Sequence, residues 1–227
     1  GATVPEAAGG SGLGHLAVCV LAEEIGYAAA PVPYASSVYL ATEALLLFGT
    51  PQQQSDWLPR LADGSAVGTV AIAEMPGPLA PGRIRMAVNT GCLSGTKTPV
   101  PDGAFADLAI VVARDGQGCM LHLVDLADAR VRRSTVPTLD RSRPQARLDF
   151  DGVPAQPLPG ATGWEAVRRL LDRAAVMMAF EQIGGAQAAL EMARDYALQR
   201  YAFGRPIASF QAIKHKLADV YVTIELG

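Results

Sequence analysis

An α+β fold follows from three features of this sequence: helical periodicity up to residue 63, short alternating apolar runs from Gly64, and helical periodicity again after Pro154. The expected order is N-terminal helices, a central antiparallel β domain and long C-terminal helices. The expected boundaries are 1–63, 64–155 and 156–227, with both helical domains incomplete. A chain of 227 residues, half apolar and 18% charged, has ordinary globular composition and enough length for a substantial core.

Gly1 to Gly14 reads as a loop. It fails as a dinucleotide fingerprint, because His15 stands where a third glycine is required and no strand pattern precedes it. Leu16 to Ile25 reads as a helix, followed by a turn at Pro31 and Pro33. Ser36 or Ser37 is expected to cap a second apolar helix to about Phe48, with Gly49 as its stop. Thr50-Pro51 is an N-cap followed by proline at the first helical position, opening an amphipathic helix through Trp57 and Leu61.

The apolar runs of the β domain are Gly68 to Ala73, Met86 to Thr90, Ala106 to Ala113, Met120 to Val124 and Arg147 to Phe150. Gly, Pro and Asp punctuate them, as in an antiparallel unit. The proline-broken stretch Met75 to Gly82 can hold little regular structure. Thr162 to Glu165 has capping-box spacing, and about ten helical turns follow, with Val167, Leu171, Ala174 and Met178 on the apolar side. Met177 and Met178 read as core filler. Gly184 and Gly185 would each cost roughly 1 kcal/mol relative to alanine in mid-helix, so the close approach of another helix is expected there.

A net charge of −3 without a basic, aromatic-rich face argues against a nucleic-acid partner. The three cysteines lie far apart and the three histidines are scattered, so neither a disulfide framework nor a metal site is expected. A reducing, cytoplasmic setting fits that cysteine usage. No apolar run approaches the roughly 20 residues of a membrane span. The chain opens in a loop without an initiator methionine and stops at Gly227 inside a helical pattern, which reads as truncation at both ends.

The stretch from Arg200 to Asp219 carries the most chemistry. Gly204 and Pro206 interrupt helix-forming sequence on both sides. At helical spacing Arg200 and Phe203 share a face, and Ser209 is placed to cap the next helix. A guanidinium, an aromatic plate, the Gln211 carboxamide and a helix N-terminus suit a phosphate-bearing cofactor. A plainer reading is also open: Arg200 complements a helix macrodipole and Phe203 is core.

The segment Arg-x-x-Phe-Gly-x-Pro-Ile-x-x-Phe-Gln, ending in Leu-Ala-Asp, resembles the signature of the acyl-CoA dehydrogenase family. The likeness extends to the Pro5-Glu6 and Gly9-Gly10 loop, Glu23 to Gly26, Thr50 and Trp57-Leu58-Pro59. It implies the family's α+β fold, FAD as cofactor and α,β-dehydrogenation of an acyl-CoA thioester as the reaction. It also implies that Arg200, Phe203 and Gln211 reach across a subunit interface to a neighbour's FAD.

Two motifs in the β domain depart from that pattern. Where the family places Thr-Glu-Pro-x-x-Gly-Ser against the flavin, this chain keeps Glu74 but has Ala73, Pro78 and Leu79 at the Thr, Gly and Ser places. Where it places Lys-x-Trp-x-Thr, this chain keeps Lys97 but has Pro99 and Pro101. Proline has no N–H, and alanine and leucine have no hydroxyl. Ala73 and Glu74 are nonetheless retained as candidate cofactor-binding positions alongside Arg200, Phe203 and Gln211.

The combination resembles the family's two-gene, actinobacterial-type heteromers, in which one FAD is shared between unlike chains that handle steroid side-chain thioesters. The implied partners are an acyl-CoA substrate and a homo- or hetero-oligomer of family chains. No catalytic base is assigned; Asp172 reads as a helix-surface or pocket-rim residue and Glu74 as part of its loop. The alternative is a non-catalytic subunit that lends FAD contacts to a catalytic partner.

Overall fold

The computed structural model describes residues 1–116 and 118–227. After a single 3-10 turn at Glu6–Ala8, helix α1 covers Gly14–Tyr27, two residues longer at each end than periodicity indicates. A π-helical segment, Ala35–Thr42, runs directly into α2 (Glu43–Phe48), and α3 covers Pro51–Asp63. The Thr50 cap is as expected: its hydroxyl accepts the Gln53 amide, and the Gln53 side chain accepts the Thr50 amide.

Neither Ser36 nor Ser37 is a cap. Both lie inside the π-helical segment, which starts after Tyr34 with no side-chain cap. Their hydroxyls serve tertiary contacts instead: Ser36 Oγ donates to the Asp102 carboxylate, and Ser37 Oγ accepts the Gly68 amide. Serine competes for backbone-like partners wherever it sits, so spacing alone cannot tell a cap from a cross-link.

The β domain holds β1 (Gly68–Ala71), β2 (Val88–Asn89), β3 (Cys92–Pro101), β4 (Leu108–Asp115), β5 (Gly118–Asp125), β6 (Val131–Val136), β7 (Gln145–Pro154) and β8 (Gln156–Thr162). They form two four-stranded sheets, ordered β1-β4-β5-β8 and β2-β3-β7-β6. The sheets are antiparallel except for one pair, β1 with β4, which is parallel. Periodicity misses β3, β6 and β8. Pro99 and Pro101 demote β3 on sequence grounds. The ladder accommodates Pro99 by jumping from Lys97↔Leu148 to Val100↔Ala146, so no cross-strand bond is asked of it.

Helix α4 runs from Gly163 to Gln199, and α5 from Gln211 to Leu226. Between them lies a small hairpin, β9 (Tyr201–Ala202) with β10 (Arg205–Pro206). The chain divides into two compact units, one of residues 1–15 and 31–175, the other of residues 16–30 and 176–227.

The first unit has two apolar clusters. One gathers Leu45, Leu58, Leu121, Leu158 and Leu170; the other gathers Leu93, Val111, Leu126 and Leu148, all essentially inaccessible. Alternation along β4 sends Ile110 and Val112 to the first and Ala109, Val111 and Ala113 to the second, so β4 is buried on both faces. In the second unit α1 and α4 meet at glycines, as the mid-helix pair requires. A methyl on Gly184 would fall 1.8 Å from the Glu23 carbonyl oxygen, and one on Gly26 would fall 1.8 Å from that of Glu181.

Candidate functional site

Glu74 follows the end of β1 and is fixed by three donors. Lys97 Nζ reaches Oε1 at 2.8 Å, and the amides of Arg85 and Met86 each donate at 2.9 Å. Burial works against the Glu74 charge, but the Lys97 and amide hydrogen bonds outweigh it and hold the carboxyl below its ordinary range. Lys97 is fully inaccessible, and its ammonium also donates to the Ile72 carbonyl at 2.9 Å. Burial pushes Lys97 down against the opposing pull of Glu74. The Glu74 charge is the better supported of the two, because three separate donors converge on it. The pair therefore ties β3 to the segment after β1.

Four of the five departing positions come together beside that tie, and Pro78 is not among them. Ala73, Leu79, Pro99 and Pro101 all face one cavity of 470 Å³ in the first unit. Leu40 of the π-helical segment and Leu171 of α4 close its other sides. Both elements are held by a buried carboxylate. Glu43, three residues beyond Leu40 and 1% exposed, accepts from Arg173 Nη1 at 3.0 Å and faces His15 Nε2 at 2.6 Å. Sequence reasoning missed Glu43, since nothing in its spacing distinguishes it from a surface glutamate. Asp172 is exposed, as expected of a helix-surface residue.

The nucleotide-binding candidates lie elsewhere, in the second unit. Arg200 and Phe203 do not share a helical face. Helix α4 ends at Gln199, and Phe203 with Gly204 forms the two-residue turn of the β9–β10 hairpin. Both turn residues have positive φ, 51° and 78°, the conformation that a two-residue hairpin loop favours. The hairpin overrides helical spacing because Gly204 and Pro206 permit a reversal that an α-helix cannot make.

Phe203 is not core either. It is 96% exposed, with its ring edge-on to Phe210 at 6.2 Å. Ser209 is not the cap of α5; its hydroxyl donates to the Pro206 carbonyl, and Phe210 occupies the N-cap with no side-chain bond. Arg200 and Gln211 are exposed, and the Gln211 amide lies 3.4 Å from His215 Nε2. The Arg205 guanidinium stacks on Phe210 at 4.1 Å, a contact the sequence reading did not single out.

Residues 1–65 match the acyl-CoA dehydrogenase N-terminal domain, and residues 161–227 match the acyl-CoA dehydrogenase C-terminal domain. The chain belongs to the acyl-CoA dehydrogenase family. It is 34% identical over 229 residues to acyl-CoA dehydrogenase FadE27 of Mycobacterium tuberculosis, covering 97% of this chain and 59% of that protein. The solved steroid acyl-CoA dehydrogenase Tcur3481–Tcur3483, a point variant, superposes with a TM-score of 0.86 at 37% identity, covering 99% of this chain and 61% of that one. The ChsE4–ChsE5 complex of Mycobacterium tuberculosis gives 0.85 at 31% identity, covering 98% and 60%. The chain thus spans less than two thirds of the length of these relatives.

The family uses FAD, and one relative, a glutaryl-CoA dehydrogenase from Mycobacterium smegmatis, is solved with FADH2. Gln145 apart, the side chains lining the first unit's cavity offer a flavin ring no hydrogen-bond donor. Pro99 and Pro101 carry no N–H, the Thr98 amide is spent on the Ala73 carbonyl at 2.8 Å, and Glu74 is turned to Lys97. The exposed Arg200, Phe203 and Gln211 do fit the phosphates and adenine of such a cofactor by chemical type. No helix among the described residues is long and apolar enough to cross a membrane.

Proposed function

We propose that this chain is one subunit of a cytoplasmic acyl-CoA dehydrogenase whose FAD ring is seated in a different family chain. It contributes Arg200 and Gln211 to the cofactor's phosphates and Phe203 to its adenosine end. The first two sequence divisions, 1–63 and 64–155, supply the scaffold and acyl side of the site, and 156–227 supplies the lent residues. The reaction is α,β-dehydrogenation of an acyl-CoA thioester. A bulky, steroid-type acyl group is favoured, since that is the substrate class named for the relative at 37% identity.

The observation that carries this reading is Phe203. A bulky aromatic in the left-handed region costs free energy, and at 96% exposure it recovers little of that by packing within its own chain. A flat cofactor group from a neighbouring chain would supply the missing contact. The test is Arg200→Ala in the assembled complex, titrated with FAD. Loss of one bidentate charge-assisted contact of about 2 kcal/mol predicts roughly thirtyfold weaker FAD retention. Retention unchanged from wild type would remove the foundation of the proposal. Weakened FAD binding with turnover retained by the partner alone would instead favour a non-catalytic supporting subunit.

A further inference from the structure

The cavity of the first unit is polar at two separate places. Its mouth is the segment after β1, where Met75 and Leu79 are 38% and 44% exposed. Pro76 and Pro78 carry no N–H there, and the amides of Met75, Gly77 and Leu79 meet no acceptor among the described residues. The other place lies further along β3. The Thr98 amide donates to the Ala73 carbonyl, and three residues on, the Pro101 carbonyl accepts the Thr69 hydroxyl. The two contacts are therefore up to about 10 Å apart, and β3 runs from the mouth toward the start of β1. Gln145 pairs with Pro101 across the β3–β7 ladder, which places it at that inner end, near the buried Val70. Leu40, Ile72, Pro99 and Leu171 are among the apolar residues that line the rest.

Gln145 is half-buried there with most of its hydrogen-bonding capacity unused. Its amide nitrogen makes one long contact, 3.4 Å, to the Arg143 carbonyl, and its carboxamide oxygen has no partner among the described residues. The nearest polar side chains are spent on one another: Asp102, next to Pro101, accepts from Ser36, four residues before Leu40. We propose that Gln145 is a specificity-determining residue that hydrogen-bonds a keto or hydroxyl oxygen carried on the acyl group, away from its thioester. The inference rests on the reading above that the first unit supplies the acyl side of the site. A carboxamide both donates and accepts, so it takes either kind of oxygen. A purely hydrocarbon acyl group of the same shape leaves the carboxamide desolvated and unpaired, and that penalty is the source of discrimination.

The experiment uses the assembled complex and alkyl-CoA thioethers, which lack the thioester carbonyl and so are not dehydrogenated. The probes end in a methyl ketone, a secondary alcohol or the plain alkyl group, each at chain lengths from six to twelve carbons. Calorimetric titration should show, at one chain length, the ketone and the alcohol bound about fivefold more tightly than the alkyl probe, the worth of one neutral hydrogen bond. Gln145→Leu should erase that preference. Gln145→Glu should keep the alcohol and reject the ketone, because a carboxylate accepts but does not donate; a merely structural role would not split the two probes. An unaltered preference in Gln145→Leu, or none at any length in the wild type, would overturn the inference. Ala73→Trp, which fills the cavity, separates the two readings. If it leaves alkyl-probe binding unchanged, the acyl group lies elsewhere and both readings fall. If it weakens the alkyl probe while Gln145→Leu changes nothing, only the role of Gln145 falls.

Discussion

Lys97 and Glu74 show how one ion pair can be both a cost and a brace. The lysine has no exposure at all, so its charge is tolerated only while Glu74 and the Ile72 carbonyl hold it. Removing the cation leaves a carboxylate with two amide donors and no counter-charge. Lys97→Met should therefore cost about 3 kcal/mol, read from urea unfolding of the assembled protein. The pair also sets an acid limit. The Glu74 carboxyl is held below the ordinary glutamate value, so its contribution is complete above that value and is lost as pH falls through the lower, folded value. Melting temperature followed from neutral pH into this acid range should fall, and Glu74→Gln should start lower at neutral pH but lose less of its stability on acidification.

At the scale of elements, the contact between α1 and α4 depends on single hydrogen atoms. Gly184 and Gly185 look alike in the sequence, but only Gly184 faces the Glu23 carbonyl at a distance no methyl can occupy. Gly184→Ala should cost about 3 kcal/mol or more through overpacking, despite the gain in helix propensity. Gly185→Ala meets its nearest neighbour, the Gly26 carbonyl oxygen, at 3.5 Å and should be neutral or stabilising by up to about 1 kcal/mol. Thermal melts of the two variants side by side decide it; equal loss in both would mean the helices do not approach as described. The β9–β10 hairpin is the converse case. There the spacing of Arg200 and Phe203 implied a helix, and Gly204 and Pro206 imposed a turn.

For the molecule as a whole, most of the departing positions share one unit with the retained Glu74 and Lys97, and the signature residues lie in the other. Ala73, Leu79, Pro99 and Pro101 converge on one cavity, while Arg200, Phe203 and Gln211 are exposed on the other unit. Purified alone, the chain should retain less than a tenth of a molar equivalent of FAD, measured by flavin absorbance after gel filtration, because on the proposed reading Arg200 and Gln211, both exposed, serve another chain's cofactor and Pro99 and Pro101 offer no N–H. Co-expressed with an acyl-CoA dehydrogenase chain that keeps the Thr, Trp and Gly-Ser positions, it should yield one FAD per pair. A full equivalent bound by the chain alone would contradict the shared-cofactor reading.

The sequence by itself determined the family, the α+β order and most helix limits, because helical periodicity, caps such as Thr50-Pro51 and the Arg200-to-Gln211 motif are local patterns. It also located the departures from the family pattern at Ala73, Pro78, Leu79, Pro99 and Pro101, which need only residue chemistry. Tertiary structure alone decided that Ser36 and Ser37 are cross-links, that β1 pairs parallel with β4, that Phe203 turns a hairpin in full exposure, and that Glu43 is a buried anchor. The physical reason is the same in each case. A hydroxyl, a strand edge or a carboxylate takes whichever partner the rest of the chain brings within reach, and that choice is made across tens of residues rather than along a few.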